Sequence, residues 1–325
     1  MCTAVTYKTK DFYFGRTLDY DFSYVEEITV TPRNFVLNFR EAEKMTEHYA
    51  MIGMAYVRDN YPLYYDAVNE KGLCMAGLNF VGNAYYAKLQ RNKINLAQFE
   101  LIPYILGKCS SVKQAVSELK KINLADIRYS DDLPSAELHW IIADREKAVT
   151  VEYVKDGLKI YDNKAGVLTN NPTFDKQIFN LNNYIGLSSR DPKNNFSNKL
   201  GLKTYTRGMG GLGLPGDYTS QSRFVKATFI KLNSISGSSE EESVNQFFHI
   251  LGSVANPRGA CIVGNGSYEI TVYASCCNAD KGIYYYTTYE NHRITAVEMR
   301  KHNLNGDKLS KYLLGRKEDI FYQNK

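Results

Sequence analysis

The sequence predicts an α+β fold in which antiparallel sheets are layered with helices, four layers deep, in one domain spanning residues 1–325. Two observations carry that reading. The hydrophobic period changes between strand-like alternation and helical spacing in blocks, rather than in the regular alternation of a parallel doubly wound sheet. In addition, no internal repeat, low-complexity segment or Pro/Gly/Ser linker divides the chain, whose length by itself fits either one large domain or two small ones.

Taken in order, residues 4–7, 12–19, 28–39, 49–56 and 73–80 read as strands separated by Lys/Thr/Asp and Glu/Lys turns. The alternation of Phe12 with Phe14, and of Ile28 with Val30, fits half-buried strands. Helical spacing follows over 99–106, and again over 112–121, where Ser110-Ser111 supplies a cap and Val112, Ala115, Val116 and Leu119 make one apolar face. Strands resume at 138–143, 148–154, 158–162 and 166–169, and a short helix is expected around 176–182. Helices over 220–232 and 240–251 then precede closing strands at 268–275, 282–289 and 294–299.

Composition narrows the function. Apolar residues make up 44% and charged residues 23%, a balance that can bury a sizeable core. The 26 tyrosines suit cavities that are apolar on one side and wet on the other. A net charge of +5, from 40 basic and 35 acidic residues with no basic run, argues against nucleic acid as a partner. No apolar stretch approaches the ~20 residues needed to span a bilayer. The start of the chain does not read as a signal peptide, so a cytoplasmic protein without membrane insertion is expected. The six cysteines, at 2, 74, 109, 261, 276 and 277, lack the CxxC spacing of zinc or redox sites; five read as plain thiols. The histidines at 48, 139, 249, 292 and 302 are scattered, so neither metal nor cofactor is expected, and His139 reads as a strand residue with a satisfied ring. Gly208-Met209-Gly210-Gly211-Leu212-Gly213 matches GxGxxG but follows no clear buried strand, so it reads as an ordered loop.

The sixth cysteine is different. A small residue after the initiator Met permits removal of Met1, which leaves Cys2 with a free α-amine. An unperturbed α-amine titrates at ~7.7–8.0 and a thiol at ~8.5, so near neutral pH the amine can accept the thiol proton and one residue supplies both nucleophile and base. Alone, Cys2 fits the start of a strand equally well. A hairpin would bring Phe14-Gly15-Arg16-Thr17-Leu18-Asp19 back beside it, where a guanidinium favours thiolate and a carboxylate can fix that guanidinium or accept from the amine. Arg16 and Asp19 alone also fit an ordinary strand-edge ion pair. Asn79, at the end of Gly77-Leu78-Asn79-Phe80, and Asn170, in Leu168-Thr169-Asn170-Asn171-Pro172, are neutral donors suited to an oxyanion hole, though both also fit turn chemistry. Arg223 opens a helix after the glycine loop, free to bind an anion, to brace Asp19 or to face solvent.

Together these pieces resemble the choloylglycine hydrolase family, the bile salt hydrolases and penicillin V acylases within the N-terminal-nucleophile hydrolases. The resemblance runs over essentially the whole chain. It rests on Met1-Cys2-Thr3, Phe14-Gly15-Arg16 with Asp19, 69–73 leading to 77–80, Leu138-His139-Trp140, Leu168-Thr169-Asn170, and Leu214-Pro215-Gly216-Asp217 leading to Ser222-Arg223-Phe224. It implies an αββα sandwich of two antiparallel sheets, a homotetramer and no metal. It also implies a site with Cys2 as nucleophile, Arg16 and Asp19 ordering it, Asn79 and Asn170 holding the oxyanion, and Arg223 completing the polar network. Asn79 points toward bile salt hydrolases, since penicillin V acylases often carry Tyr there. The acyl pocket would fall on Leu18, Tyr20, Tyr24, Tyr65, Tyr129 and Leu133, with Arg58 a departure from the apolar residues sometimes found at its rim. The expected activity is hydrolysis of glycine- or taurine-conjugated bile acids through a Cys2 thioester. Its rivals are a penicillin V or acyl-homoserine lactone acylase, an acyltransferase, and a steroid-binding protein with an inactive nucleophile.

Overall fold

The computed structural model describes residues 1–324. The chain opens with a hairpin of β1 (Cys2–Lys8) and β2 (Phe12–Tyr20), followed by β3 (Glu27–Thr31), β4 (Met51–Arg58), β5 (Tyr61–Asn69) and β6 (Cys74–Asn79). A short β7 (Ile94–Leu96) precedes α1 (Leu101–Lys108) and α2 (Val112–Leu119); β8 (Ile122–Leu124) pairs with β7 in parallel. Next come β9 (Leu138–Ala143), β10 (Ala148–Val154), β11 (Gly157–Asp162), β12 (Val167–Leu168), α3 (Phe174–Asn180), α4 (Ser220–Asn233) and α5 (Glu240–Gly252). The chain closes with β13 (Ile270–Asn278), β14 (Ile283–Thr288), β15 (Asn291–Glu298) and β16 (Ser310–Leu313).

These elements build two large antiparallel sheets, one ordered β12-β1-β2-β13-β14-β15 and the other β11-β10-β9-β6-β5-β4-β3-β16. Helices α4 and α5 lie against β1, β2 and β13 of the first sheet, and α1 and α2 against β5, β6 and β9 of the second. One apolar core fills the space between the sheets and under α4 and α5, joining Val5, Phe14, Ile52, Cys74, Phe224 and Phe247. A second lies beneath α1 and α2, around Met51, Ala67, Met75, Leu101 and Trp140. The four layers are therefore α, β, β, α, as expected, because each sheet buries both faces and each helix one stripe. The Ser111 hydroxyl accepts from the Gln114 amide, a cap the sequence suggested, and Ser239 with Glu242 forms a capping box on α5 that it did not.

The sequence reading missed β5, whose Tyr-Pro-Leu-Tyr-Tyr start looks unlike a central strand. Pro62 is tolerated because it sits at the hairpin end of the strand, opposite Val57. The strand expected over 28–39 stops at Thr31, since Pro32 has no N–H to continue the ladder. The edge strand β16 and the small β7–β8 pair were also unread. The glycine segment is a loop whose ordered turn is Met209–Gly211, and α4 begins only at Ser220.

Candidate active site

Hairpin register sets the site. Cys2 lies opposite Leu18, Ala4 opposite Arg16, and Thr3 opposite Thr17. Because successive side chains on a strand face opposite ways, Cys2, Arg16 and Leu18 turn toward the second sheet, while Thr3, Thr17 and Asp19 turn toward α4. Gly15 allows this arrangement: a Cβ there would stand 1.9 Å from the Ser275 carbonyl oxygen, so only glycine lets β13 close on β2 beside Arg16.

Arg16 crosses the gap between the sheets. Its Nη1 donates to the carbonyls of Gly77 (2.6 Å) and Tyr65 (3.2 Å), and its Nε to that of Thr17 (3.2 Å). Burial opposes the guanidinium charge, but Cys2, then Tyr273, Asp66 and Asp19, outweigh it and hold the pKa above its ordinary value. A positive charge is thus fixed in a dry place within electrostatic reach of the sulfur.

On the helix side, Arg223 Nη1 donates to the Cys2 carbonyl (2.5 Å) and Thr3 Oγ1 (2.7 Å), and Nη2 donates to Asn170 Oδ1 (2.8 Å). Its Nη1 stands 4.0 Å from Asp19 Oδ2. Asp19 in turn accepts from Thr271 Oγ1 (2.7 Å) and Thr17 Oγ1 (3.2 Å). Burial pushes its carboxyl up, against the pull of Arg223, the chain's amino terminus and the two threonines.

Asn170 Oδ1 also accepts from the Cys2 backbone nitrogen at 2.8 Å. The other side of the same amide, Nδ2, donates to the Asn79 carbonyl (2.8 Å), which ties the end of β6 to the loop after β12. The Asn79 side chain itself makes no hydrogen bond among the described residues. Cys2, Arg16, Asp19, Asn170 and Arg223 are thus linked around the start of β1, and Asn79 joins them through its backbone carbonyl. With Met1 present, the Cys2 side is covered: the Met1 ammonium donates to the Asp19 carbonyl (2.7 Å) and pairs with Glu269, the Asp19 N–H donates to the Met1 carbonyl (2.9 Å), and Cys2 is 3% exposed.

Of the expected pocket residues, Tyr65 lies beside Arg16 and within electrostatic reach of Tyr24, whose ring centroid is 6.1 Å from that of Tyr20, and Leu18 lies opposite Cys2. Tyr129 belongs to a neighbouring group: it meets Tyr61 and Phe99, its hydroxyl donates to the Arg58 carbonyl, and Arg40 lies over its ring. Leu133 sits in the same loop, in a turn with Ser130, where Arg58 pairs with the nearby Asp132 at 2.6 Å.

Two buried networks escaped the sequence reading. Asp66 accepts from Tyr273 (2.8 Å), Tyr284 (2.6 Å) and Ser275 (3.2 Å), three hydroxyls of the first sheet, behind Arg16. Burial pushes its carboxyl up, and Arg16 heads the groups that oppose this. The second is His139, whose Nε2 donates to the Thr169 carbonyl (2.8 Å), whose Nδ1 meets Glu152 (3.2 Å) and whose ring stacks on Phe80, so it braces the loop that carries Asn170. A lone Asp inside a missed strand gave no signal at sequence level, whereas His139 is the strand residue with a satisfied ring that was expected, and only its partners went unread. Among the described residues, no group of three or more His, Cys, Asp or Glu side chains is placed to hold a metal ion. No helix among the described residues is long and apolar enough to cross a membrane.

Known proteins share this architecture. Residues 2–312 match the family of linear amide C–N hydrolases known as choloylglycine hydrolases. A bile salt hydrolase/transferase of Lactiplantibacillus plantarum is 54% identical over 322 residues, 99% of each chain. The crystal structure of the C2A mutant of the conjugated bile acid hydrolase from Clostridium perfringens superposes with a TM-score of 0.92 at 38% identity, covering 100% of both chains. A penicillin V acylase from Agrobacterium tumefaciens shares the fold at a TM-score of 0.75 and 22% identity, covering 97% of this chain and 92% of its own. The fold is thus that of the N-terminal-nucleophile hydrolases, and the enzyme class is linear amide C–N hydrolase. The chain belongs to the choloylglycine hydrolase family.

Proposed function

We propose that this chain hydrolyses the amide bond of glycine- or taurine-conjugated bile acids, with Cys2 as nucleophile once Met1 has been removed. One observation carries the chemistry: Asn170 Oδ1 and Arg223 hold the nitrogen and carbonyl of Cys2, while buried Arg16 faces the sulfur side. The names of the relatives supply the substrate. In the cycle, the α-amine takes the thiol proton and the thiolate attacks the substrate carbonyl. The unpartnered Asn79 amide and the second hydrogen of Asn170 Nδ2 donate to the oxyanion, and the α-ammonium returns its proton to the departing amine. A thioester of the bile acid remains. Water, deprotonated by the same amine, releases the free acid and restores the thiol. Asp19 and Arg223 keep that amine aimed through Asn170.

The aromatic wall of Tyr20, Phe22, Tyr24 and Tyr56 supports a rigid steroid as the acyl group. We also infer one domain, a cytoplasmic site of action and a homotetramer. Assembly is supported by apolar side chains left exposed in the loop before α4, among them Ile185, Phe196, Tyr205 and Leu212. The substrate is tested by comparing amino acid release from glycocholate and taurocholate with phenoxyacetate release from penicillin V. Faster turnover of either bile salt is expected, whereas turnover of penicillin V alone would reject the assignment.

A further inference from the structure

Immediately after β2, the chain makes a tight loop over residues 21–26 whose backbone is strained. Val25 adopts φ 66°, a left-handed conformation that a β-branched residue holds only where its surroundings enforce it. What enforces it is the Glu26 carboxylate, buried completely. Its Oε1 accepts from the Tyr24 amide (3.0 Å), its Oε2 accepts from Ser23 Oγ, and Ser23 Oγ accepts from the Val25 amide (3.0 Å). A buried carboxylate needs a counter-charge. Among the described residues, the only cation paired with it comes from the far end of the sequence: Arg316 Nη2 reaches Glu26 Oε2 at 3.2 Å and also donates to Ser23 Oγ.

Arg316 is itself held in place. Gly315 donates to the Tyr286 hydroxyl (3.1 Å) and accepts from Thr288 Oγ1 (2.9 Å), Glu318 takes a bond from His292 (2.6 Å), Asp319 pairs with Arg293, and Arg316 Nη1 lies 3.6 Å from Glu290. The tail thus straps β14 and β15 and ends its reach on the 21–26 loop. That loop carries Phe22 and Tyr24, which follow Tyr20 at the end of β2 in a row of rings packed edge-on or tilted at centroid distances of 4.8 and 4.7 Å, closed by Tyr56 at 5.8 Å from Tyr24. The wall begins two residues beyond Leu18, the cross-strand partner of Cys2.

We propose that Arg316 is a positioning residue for the acyl pocket: by pairing with buried Glu26 it fixes the strained loop that presents Phe22 and Tyr24, beside Tyr20, to the substrate's acyl group. The inference rests on the bile salt reading above for what the wall binds, but not for the strap itself. Arg316 touches neither the thiol nor the oxyanion donors, so its loss acts on binding rather than on the chemical step.

The test uses the full chain with Arg316→Met, Arg316→Lys and the double variant Glu26→Gln/Arg316→Met, measuring KM and kcat for glycocholate together with amide hydrogen exchange of the 21–26 peptide. Arg316→Met should raise KM about tenfold while kcat stays within about twofold, and should speed exchange in the loop. Arg316→Lys should recover most of the KM, and the double variant should recover part of it, because the carboxylate is no longer left buried without a partner. An unchanged KM in folded Arg316→Met, or a fall in kcat at constant KM, overturns the proposal. Should the wild-type chain leave glycocholate intact, the substrate assignment fails and exchange alone decides the strap: faster exchange in Arg316→Met sustains it, unchanged exchange removes it.

Discussion

Asn170 Oδ1 accepts hydrogen bonds from the Cys2 nitrogen and from Arg223 Nη2, both at 2.8 Å. One amide oxygen therefore links the candidate base to a buried guanidinium. Asn170→Ala should lower kcat by roughly 10²–10³. Asn170→Asp should keep the acceptor but lose the donor, and so recover little. Steady-state kinetics on a variant whose melting temperature is unchanged would show this, and near wild-type turnover in Asn170→Ala would remove the residue from the mechanism.

Asn79 makes a different case, since its backbone carbonyl is engaged and its side-chain amide is not. Asn79→Ala should cost a similar roughly 10²–10³ in kcat while leaving stability to urea unaltered. A stability loss without a rate loss would make it a structural residue only.

Behind Arg16, Asp66 gathers three hydroxyl donors across the sheet interface. Asp66→Asn removes the negative charge and leaves buried Arg16 without it, so unfolding in urea should show a loss of about 2–4 kcal/mol. Turnover should also fall, by about tenfold, as the guanidinium shifts under the sulfur. Unchanged stability would show that the carboxyl contributes no charge there.

Asp217 bonds Ser222 Oγ (2.6 Å) and the Thr219 amide (2.9 Å) at the start of α4, the helix that carries Arg223, and the Ser222 and Thr219 bonds hold its carboxyl down at about 2. A depressed carboxyl adds stability above its unfolded value of about 3.8 and loses it as pH falls toward 2. Asp217 is largely exposed, so near neutral pH Asp217→Asn should cost only about 0.5–1 kcal/mol. The gap between the two proteins, measured by denaturation at a series of pH values, should close below pH 3. A constant gap across that range would assign the effect to shape rather than charge.

How far the sequence reached is visible in these residues. That Arg16 and Asp19 return beside Cys2 was legible because a hairpin fixes its own register, whereas the expected roles of Asn79, Asn170 and Arg223 came from the family resemblance, since each alone also fits turn or helix-start chemistry. Asp66 was not legible: its strand was hidden by Pro62 and its partners lie more than 200 residues away. Which of Leu18, Tyr20, Tyr24, Tyr65, Tyr129 and Leu133 share a wall depended on how the loops fold over the sheets. Strand alternation carries no information about that.

The central claim is that the sulfur of Cys2 carries the acyl group. The most direct measurement is the intact mass of the enzyme quenched in acid within milliseconds to seconds of mixing with glycocholate, beside Cys2→Ala treated alike. The account predicts a wild-type chain lighter by one Met that gains the mass of a cholyl group, with the adduct on the peptide beginning at Cys2, and no adduct in the variant. Glycine release by Cys2→Ala at the wild-type rate, or an adduct on another residue, would contradict it.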